Sequence, residues 1–315
     1  MGKIAWVFPG QGSQYVGMGK SVAKACPKAK ALLDTASRLL GYDLAKLCWE
    51  GPESELRKTE YTQPALLTVS TMLAHVLYTE GLKPDVVAGH SLGEYSALVA
   101  AGSLSFEGAV SLVARRGQLM EDAVPCGKGA MAVLLGLDLP TVRSICQDAS
   151  QGEVVEAANL NCPGQIVISG DRSAVKRAMA LGKMEGARRV LELEVSGPFH
   201  SSLMRPIADV FAQDLASVHL DDPQVPFVAN VTADYVQDAT TLRKVLLQQL
   251  YSPVRWEETI RRLLADGVGT FVEVGPGQVL GGLIKRISRD AAIVGFQEME
   301  GLEKVLEMAK GDIVI

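Results

Sequence analysis

Short apolar runs alternate with longer amphipathic stretches along the first 125 residues. Apolar runs bounded by Gly or Pro predict buried strands, and apolar residues spaced by three and four predict helices. The predicted strands are residues 4–8 and 84–88, and the predicted helices are residues 66–78, 92–101 and 106–123. Strands that alternate with helices favour a parallel sheet, so this part of the chain predicts an α/β fold.

The pattern changes after the turn residues at 125–127. It then predicts strand, helix, strand, strand, helix and strand, in the ranges 131–137, 139–149, 154–159, 165–169, 172–185 and 189–195. The order β-α-β-β-α-β is the ferredoxin-like signature.

The helix-and-strand pattern resumes after Ser196-Gly197-Pro198, with further predicted strands at 227–231, 270–274 and 292–294. The sequence therefore predicts one α/β core, built from residues 1–127 and 197–315, that is interrupted by a ferredoxin-like subdomain over 128–196. Because ligand sites form preferentially between domains, we expect the active site in the cleft between the two units.

Composition limits the classes of function. The chain has 315 residues, of which 48% are hydrophobic, and a net charge of −5. Nucleic acids and anionic membranes are bound by strongly basic surfaces, so neither is an expected partner. No apolar run reaches membrane-spanning length, and residues 4–8 are too short a run for a signal peptide. A compact cytoplasmic enzyme is predicted.

The cysteines are Cys26, Cys48, Cys126, Cys146 and Cys162. They are odd in number, widely spaced and without a C-x-x-C pair, which argues against a disulfide framework or a zinc site. We predict reduced and mostly buried thiols.

The segment Gly89-His90-Ser91-Leu92-Gly93 places one serine between two glycines where a predicted strand meets a predicted helix. This is the nucleophile-elbow pattern, in which the sharp turn brings backbone close and demands small residues on either side of the nucleophile. Free N–H groups at the start of the following helix could stabilise a negatively charged oxygen. The motif indicates acyl transfer through Ser91; a tight turn without chemistry is the alternative.

A serine nucleophile needs a base, and the chain contains only four histidines. We expect His90 to pack against the turn, His75 to be a satisfied core residue of an apolar helix, and His219 to end a strand or loop. His200 directly precedes a predicted helix over 201–217 at the domain junction, where loops on rigid elements carry function. It is the candidate base; a capping or structural role is the alternative.

The loop that follows the first strand, residues 9–14, is rich in glycine. A G-x-G-x-x-G dinucleotide fingerprint would need glycine at position 15, which is Tyr15, so that interpretation fails. A glycine-rich turn at the carboxyl end of a parallel strand can instead donate a main-chain N–H into the crevice. Gln11 is the candidate donor, and a plain tight turn is the alternative.

Arg116 lies on the apolar face of the helix predicted over 106–123, together with Ala109, Leu112, Val113 and Met120. A buried guanidinium is unfavourable unless it meets an anion, and its planar fork suits a carboxylate. The anion is either an acidic side chain of the protein or the carboxylate of a substrate.

Several motifs together carry a resemblance to a known family. They are residues 8–14 (FPGQGSQ), 61–65 (YTQPA), 89–96 (GHSLGEYS), 116–117 (RG), 159–165 (NLNCPGQ), 197–201 (GPFHS), 249–256 (QLYSPVRW) and 273–277 (EVGPG). Over essentially its whole length the chain resembles the bacterial malonyl-CoA:acyl-carrier-protein transacylases of fatty-acid synthesis. The resemblance implies a hydrolase-like α/β core with an inserted ferredoxin-like subdomain.

The resemblance also implies roles for individual residues. Ser91 would be the nucleophile, His200 its base and Gln249 the residue that orients the histidine, so that the family works with a Ser-His dyad. The main-chain N–H groups of Gln11 and Leu92 would form the oxyanion hole.

The implied substrate site is built around Arg116, which would bind the malonyl carboxylate. Met120, on the same helix face, is expected to line the cleft together with Asn159 and Asn161. Phe199 is similar to the bulky residue that malonyl-selective members carry before the histidine, where other members have serine.

The implied reaction is a ping-pong transfer of malonyl from malonyl-CoA, through Ser91, to the phosphopantetheine thiol of acyl carrier protein. The resemblance implies no cofactor and no metal, and we expect the protein to be a monomer. Because the carrier protein of this family is acidic, a basic docking patch is expected at Lys285, Arg286 and Arg289, with ordinary solvated charge as the alternative.

Three other interpretations stay open. A serine hydrolase or thioesterase shares the elbow, but it normally places an acid between serine and histidine and passes the acyl group to water; Arg116 weighs against it. A stand-alone acyltransferase of a polyketide pathway differs only in its carrier protein. A catalytically silent scaffold would not depend on Ser91 at all.

Overall fold

The computed structural model describes residues 2–125 and 127–310. Its strands are β1 (Lys3–Phe8), β2 (Val86–Gly89), β3 (Gly129–Leu135), β4 (Val155–Cys162), β5 (Gln165–Asp171), β6 (Arg189–Glu192), β7 (Phe227–Val228), β8 (Tyr235–Val236), β9 (Val268–Val274) and β10 (Ala292–Phe296). They form a six-stranded sheet in the order β10-β9-β1-β2-β7-β8 and a four-stranded sheet in the order β4-β5-β3-β6. We call the second of these the small sheet.

The helices that surround these sheets are α1 (Lys20–Ala25), α2 (Pro27–Leu40), α3 (Leu44–Glu50), α4 (Glu53–Leu56), α5 (Thr59–Thr79), α6 (Gly93–Ala100), α7 (Phe106–Asp122), α8 (Leu139–Ser150), α9 (Arg172–Met184), α10 (Arg205–Ser217), α11 (Ala239–Gln249), α12 (Trp256–Ala265), α13 (Val279–Ile287) and α14 (Leu302–Lys310). Short 3₁₀ turns lie at Ser202–Met204 and Met299–Gly301. No helix in the described part of the chain is both long enough and apolar enough to cross a membrane.

The large sheet is parallel except for β8, which pairs antiparallel with β7. Its strand β1 is apolar on both faces because helices cover both sides. Trp6 and Phe8 pack into the core that contains α5 and α7, whereas Ala5 and Val7 pack into the core that contains α12 and α13. The α/β fold predicted from the alternating pattern is confirmed.

The small sheet is antiparallel and follows the predicted order β-α-β-β-α-β. Ala132 and Leu134 of β3 pack against α8 and α9, and the alternate residues Met131 and Val133 face the opposite way, into the main core. Main-chain hydrogen bonds of 2.9 and 2.8 Å from Leu160 to Val254 and from Val254 to Ala158 join the small sheet to the rest of the molecule. Met131 and Val167 of the small sheet line the same cavity as Gln11 and Ser91, which follow β1 and β2 of the six-stranded sheet.

Several predicted boundaries were wrong. Helix α5 begins at Thr59 rather than at 66, with Pro64 inside it. Complete burial of residues 62–67 outweighs the one hydrogen bond that the proline removes. Strand β4 runs on to Cys162, strand β6 stops at Glu192, and the strand predicted to reach 231 stops at Val228. The helix predicted from 201 begins at Arg205, because the chain first turns sharply at His200.

Cys48, Cys146 and Cys162 are buried free thiols and Cys26 is a half-buried one. Cys126 lies outside the described residues.

Candidate active site

Ser91 stands at a sharp bend between β2 and α6, with a φ of 51°. A Cβ on Gly89 would lie 2.0 Å from the carbonyl oxygen of Gly93, and a Cβ on Gly93 would lie 2.0 Å from that of Phe8. Only glycine fits at either position. The predicted elbow geometry is therefore present at Ser91.

Asn230, which follows β7, stabilises this bend through two hydrogen bonds. Its Oδ1 accepts the main-chain N–H of Ser91 at 2.8 Å, and its Nδ2 donates to the carbonyl of Gly89 at 2.6 Å. The side chain thus bridges the residues on which the nucleophile's backbone conformation depends. We did not predict a role for Asn230; its position directly after a strand at the carboxyl edge of the sheet was the available signal.

His200 contacts the serine. Its Nε2 lies 2.7 Å from Ser91 Oγ, and its Nδ1 lies 2.8 Å from the main-chain carbonyl oxygen of Gln249. The carbonyl can only accept, so Nδ1 carries the proton and Nε2 is free to take one from Ser91. Burial, and next the positive charge of Arg116, lower the pKa of His200 to about 3, so the imidazole is neutral at physiological pH.

Gln249 has two separate functions in this geometry. Only its main-chain carbonyl contacts the histidine. Its fully buried side chain donates from Nε2 to the carbonyl of Ser91 at 2.9 Å and to the carboxylate of Glu94, and its Oε1 accepts from Arg116 at 2.8 Å. The resemblance that implied a histidine-orienting glutamine did not distinguish these two parts of the residue.

Arg116 is 1% exposed, and its Nη2 lies 3.4 Å from Ser91 Oγ. Nη1 donates to Gln63 Oε1 and Nη2 to Gln249 Oε1, each at 2.8 Å, so the two closest side-chain acceptors are neutral amides. Within the described residues Arg116 forms no ion pair and its Nε has no hydrogen-bond partner. Burial lowers its pKa, and the ring of Tyr95 lies 5.4 Å from the guanidinium carbon. Of the two anions that could meet this arginine, an acidic side chain of the protein does not make the contact.

A candidate oxyanion hole faces the same point. In the part of the chain that the structure describes, the main-chain N–H groups of Gln11 and Leu92 donate no hydrogen bond to the protein. Both residues line the cavity beside Ser91. The Gln11 side chain turns away and donates to Thr59 at 3.2 Å.

The cavity has a volume of about 180 Å³ and lies between the large and the small sheet. The predicted site residues that line it are Gln11, Ser91, Leu92, Arg116, Met120, Asn159, Asn161, Phe199 and His200. Gln249 does not line the cavity but contacts two of these residues, Arg116 and Ser91, from the core. Phe199 is 5% exposed, and its ring fits because residue 197 is glycine: a Cβ there would lie 2.7 Å from the ring.

The other histidines differ from expectation in part. His90 was expected only to pack against the turn, but its Nε2 donates to Asn161 Oδ1 at 2.8 Å and it lines the cavity. His75 is not satisfied, since its Nε2 is buried without a partner in the described part of the chain. His219 is exposed and pairs with Asp221 at 3.0 Å.

Ser91 stands at an elbow of an α/β fold and is hydrogen-bonded to a neutral histidine. These features define the class of enzymes that transfer an acyl group through a serine ester. No group of three or more His, Cys, Asp or Glu side chains among residues 2–125 and 127–310 is arranged to hold a metal. Comparison with known proteins gives the particular family. The acyl transferase domain family matches residues 5–308, and the chain belongs to it.

Among curated relatives, the malonyl CoA-acyl carrier protein transacylase of Bacillus subtilis (strain 168) is 47% identical over 311 residues, 98% of each chain. A solved acyl carrier protein S-malonyltransferase from Vibrio cholerae O1 biovar eltor superposes with a TM-score of 0.94 at 47% identity, covering 96% of this chain and 99% of that one. A malonyl-transacylase solved in complex with a type II PKS acyl-carrier protein gives a TM-score of 0.95 at 46% identity, over 97% and 99% of the two chains.

Proposed function

We propose that this protein transfers malonyl from malonyl-CoA to the phosphopantetheine thiol of acyl carrier protein, through a malonyl ester on Ser91. The observation that carries the proposal is Arg116: a buried guanidinium that has no acidic partner among residues 2–125 and 127–310 and lies 3.4 Å from the candidate nucleophile. Such a group suits an acyl chain that ends in a carboxylate. The relatives that carry this activity in their names are similar over the whole chain.

In the first half-reaction His200 Nε2 takes the proton of Ser91 as its Oγ attacks the thioester carbon. The tetrahedral oxyanion is held by the N–H groups of Gln11 and Leu92, each worth ~10²–10³ in rate. The carbon–sulfur bond then breaks, His200 returns the proton to the CoA sulfur, and the malonyl ester remains on Ser91.

The second half-reaction reverses the roles. His200 takes the proton of the carrier's thiol, the sulfur attacks the ester carbon, and Ser91 leaves with the proton from His200. We also propose that the enzyme acts as a monomer and without a cofactor or metal. A cytoplasmic location remains an expectation from composition.

The malonyl carboxylate would occupy the space beside Arg116. Arg116 lines the cavity with its Nη2 3.4 Å from Ser91 Oγ, and the side-chain amides of Gln63 and Gln249 accept from its two terminal nitrogens. The acyl group would be enclosed by Met120, Phe199 and Asn161, which line the cavity. The ring of Phe199 would leave little room for a branched acyl chain.

We also propose the division into a hydrolase-like core, residues 1–127 and 197–315, and a ferredoxin-like subdomain, residues 128–196. The strand order of the small sheet and its two helices on one face support it. The thiol arms would enter between the small sheet and α13, where Val279 is 49% exposed at the cavity. Lys285, Arg286 and Arg289 follow at the other end of α13 and remain the proposed docking charges for an acidic carrier.

Intact-mass measurement after incubation with malonyl-CoA tests the function. We expect one malonyl adduct, absent in Ser91→Ala, that is discharged by holo carrier protein. If free malonate is released without a carrier as fast as the adduct is discharged with one, the protein is a hydrolase. If no adduct forms, the transferase is excluded.

A carrier of a polyketide pathway is the second candidate acceptor, because one similar solved structure holds its enzyme together with such a carrier. Transfer rates to fatty-acid and polyketide carrier proteins, compared side by side, separate the two.

A further inference from the structure

A buried carboxylate that the reaction scheme does not use lies beneath the nucleophile. Glu94, three residues after Ser91 on α6, is fully buried. Its Oε1 accepts the main-chain N–H of Asn230 at 2.8 Å, and its Oε2 accepts from Gln249 Nε2. Both oxygens therefore face donors.

The Gln249 amide connects this carboxylate to Arg116. The guanidinium has no acceptor, so the amide must turn its oxygen toward Arg116, at 2.8 Å. The Ser91 carbonyl can only accept a hydrogen bond, so the amide must turn its nitrogen toward it, at 2.9 Å. Glu94 accepts from the same nitrogen. One amide is thus fixed in a single orientation between a positive and a negative side chain.

We propose that Glu94 is a positioning residue for acyl-group selection: through the Gln249 amide it holds Arg116 in the orientation that receives a carboxylate. The proposal rests on the proposed function of Arg116. It extends it by making the buried counter-charge, and not only the arginine, a determinant of the preference for malonyl over uncharged acyl groups.

A neutral side chain of the same shape cannot replace the carboxylate. A glutamine at position 94 would present its NH₂ either to the N–H of Asn230 or to the NH₂ of Gln249, so two donors would face each other in a buried site. Turning the Gln249 amide to avoid this would point its NH₂ at the guanidinium. Burial raises the pKa of Glu94 to about 7. The Asn230 N–H, the Gln249 amide and Arg116 limit this rise by stabilising the carboxylate, so the side chain is ionised above neutral pH.

The test compares kcat/KM for malonyl-CoA and acetyl-CoA in Glu94→Gln, Glu94→Asp and Arg116→Met. We expect Glu94→Gln to lower the malonyl-to-acetyl ratio by ~10-fold or more, because the mismatched donors displace Arg116. Glu94→Asp, which keeps the charge but is shorter, should lie between Glu94→Gln and the wild type. In an Arg116→Met background, Glu94→Gln should change the ratio no further.

Equal losses with both substrates would show a structural role only and would overturn the proposal, as would a ratio that rises. If Glu94→Gln does not fold, a wild-type ratio in Glu94→Asp would overturn it. An unchanged ratio in Arg116→Met would instead refute the proposed role of the arginine itself. The matched control is Glu273→Gln: Glu273 is 1% exposed and accepts the main-chain N–H groups of Leu280 and Gly281 at 2.9 and 2.7 Å. It should lose stability but keep the ratio; an equal shift there would also overturn the assignment to Glu94.

Discussion

The Nδ1 of His200 donates to the main-chain carbonyl of Gln249 at 2.8 Å, at the place where a catalytic triad has a carboxylate. The carbonyl fixes the tautomer as an aspartate would, but it carries no full charge. The carbonyl therefore orients the histidine and raises its pKa, but burial and the charge of Arg116 outweigh that effect. This arrangement is a dyad whose third partner is backbone.

Gln249→Ala should separate the two functions of this residue. The carbonyl remains, so His200 keeps its tautomer, whereas Arg116 loses one of its two amide acceptors. We expect malonyl transfer to fall by ~10–100-fold and the rate of labelling by phenylmethanesulfonyl fluoride, a neutral serine reagent, to fall less than tenfold. Losses of the same size in both assays would contradict the division.

Arg116→Ala should reduce transfer from malonyl-CoA far more than transfer from acetyl-CoA. Removing the partner of a buried charge is worth ~2–5 kcal/mol, whereas the uncharged acetyl group makes no such contact. Steady-state kcat/KM for both substrates measures this. Arg115→Ala is the matched control, because Arg115 is partly exposed and bonds to Asp214 and Gln118 away from the site. Unchanged discrimination in Arg116→Ala would refute the role.

Gly93→Ala should destabilise the fold by at least ~3 kcal/mol, because the new Cβ would lie 2.0 Å from the carbonyl oxygen of Phe8, an atom of the central strand that cannot move away. Gly282→Ala is the control. Gly282 lies in α13 with nothing within 4 Å of an added Cβ, so alanine there should stabilise the helix by ~0.5–1 kcal/mol. Urea denaturation of both variants decides; similar midpoints would show that the elbow tolerates a side chain.

Ser91, His200 and Arg116 could be singled out as candidates from sequence because each is marked locally: a serine between glycines, a histidine at a domain junction, and an arginine on an apolar helix face. The roles of Asn230 and Glu94 could not, because contacts across 136 and 139 residues of chain create them. The Gln249 carbonyl is a harder case still, since every residue has one. Among the elements, strands such as β1 and β3 were predictable as apolar runs, and the α5 start was not, because burial there overrides a proline.

The low pKa of His200 predicts an unusual acid limit for the reactivity of Ser91. Because burial lowers that pKa to about 3, the imidazole stays an unprotonated base well below its ordinary pKa of 6.5. The labelling rate by phenylmethanesulfonyl fluoride should therefore change little from pH 7 down to ~pH 5. An acid limb centred near the ordinary value would show that the folded protein leaves the histidine unperturbed.

Arg116→Gln should move this acid limb to higher pH. After burial, the positive charge of Arg116 is the next cause that lowers the pKa of His200, and a protonated imidazole beside a guanidinium is disfavoured. Removing the charge raises the pKa, so the variant loses its base at a higher pH than the wild type does. The pH dependence of labelling measures the shift without a charged substrate, which separates it from any loss of malonyl binding. Arg115→Gln should leave the limb in place, and a limb that stays in place in Arg116→Gln as well would mean that burial alone keeps His200 neutral.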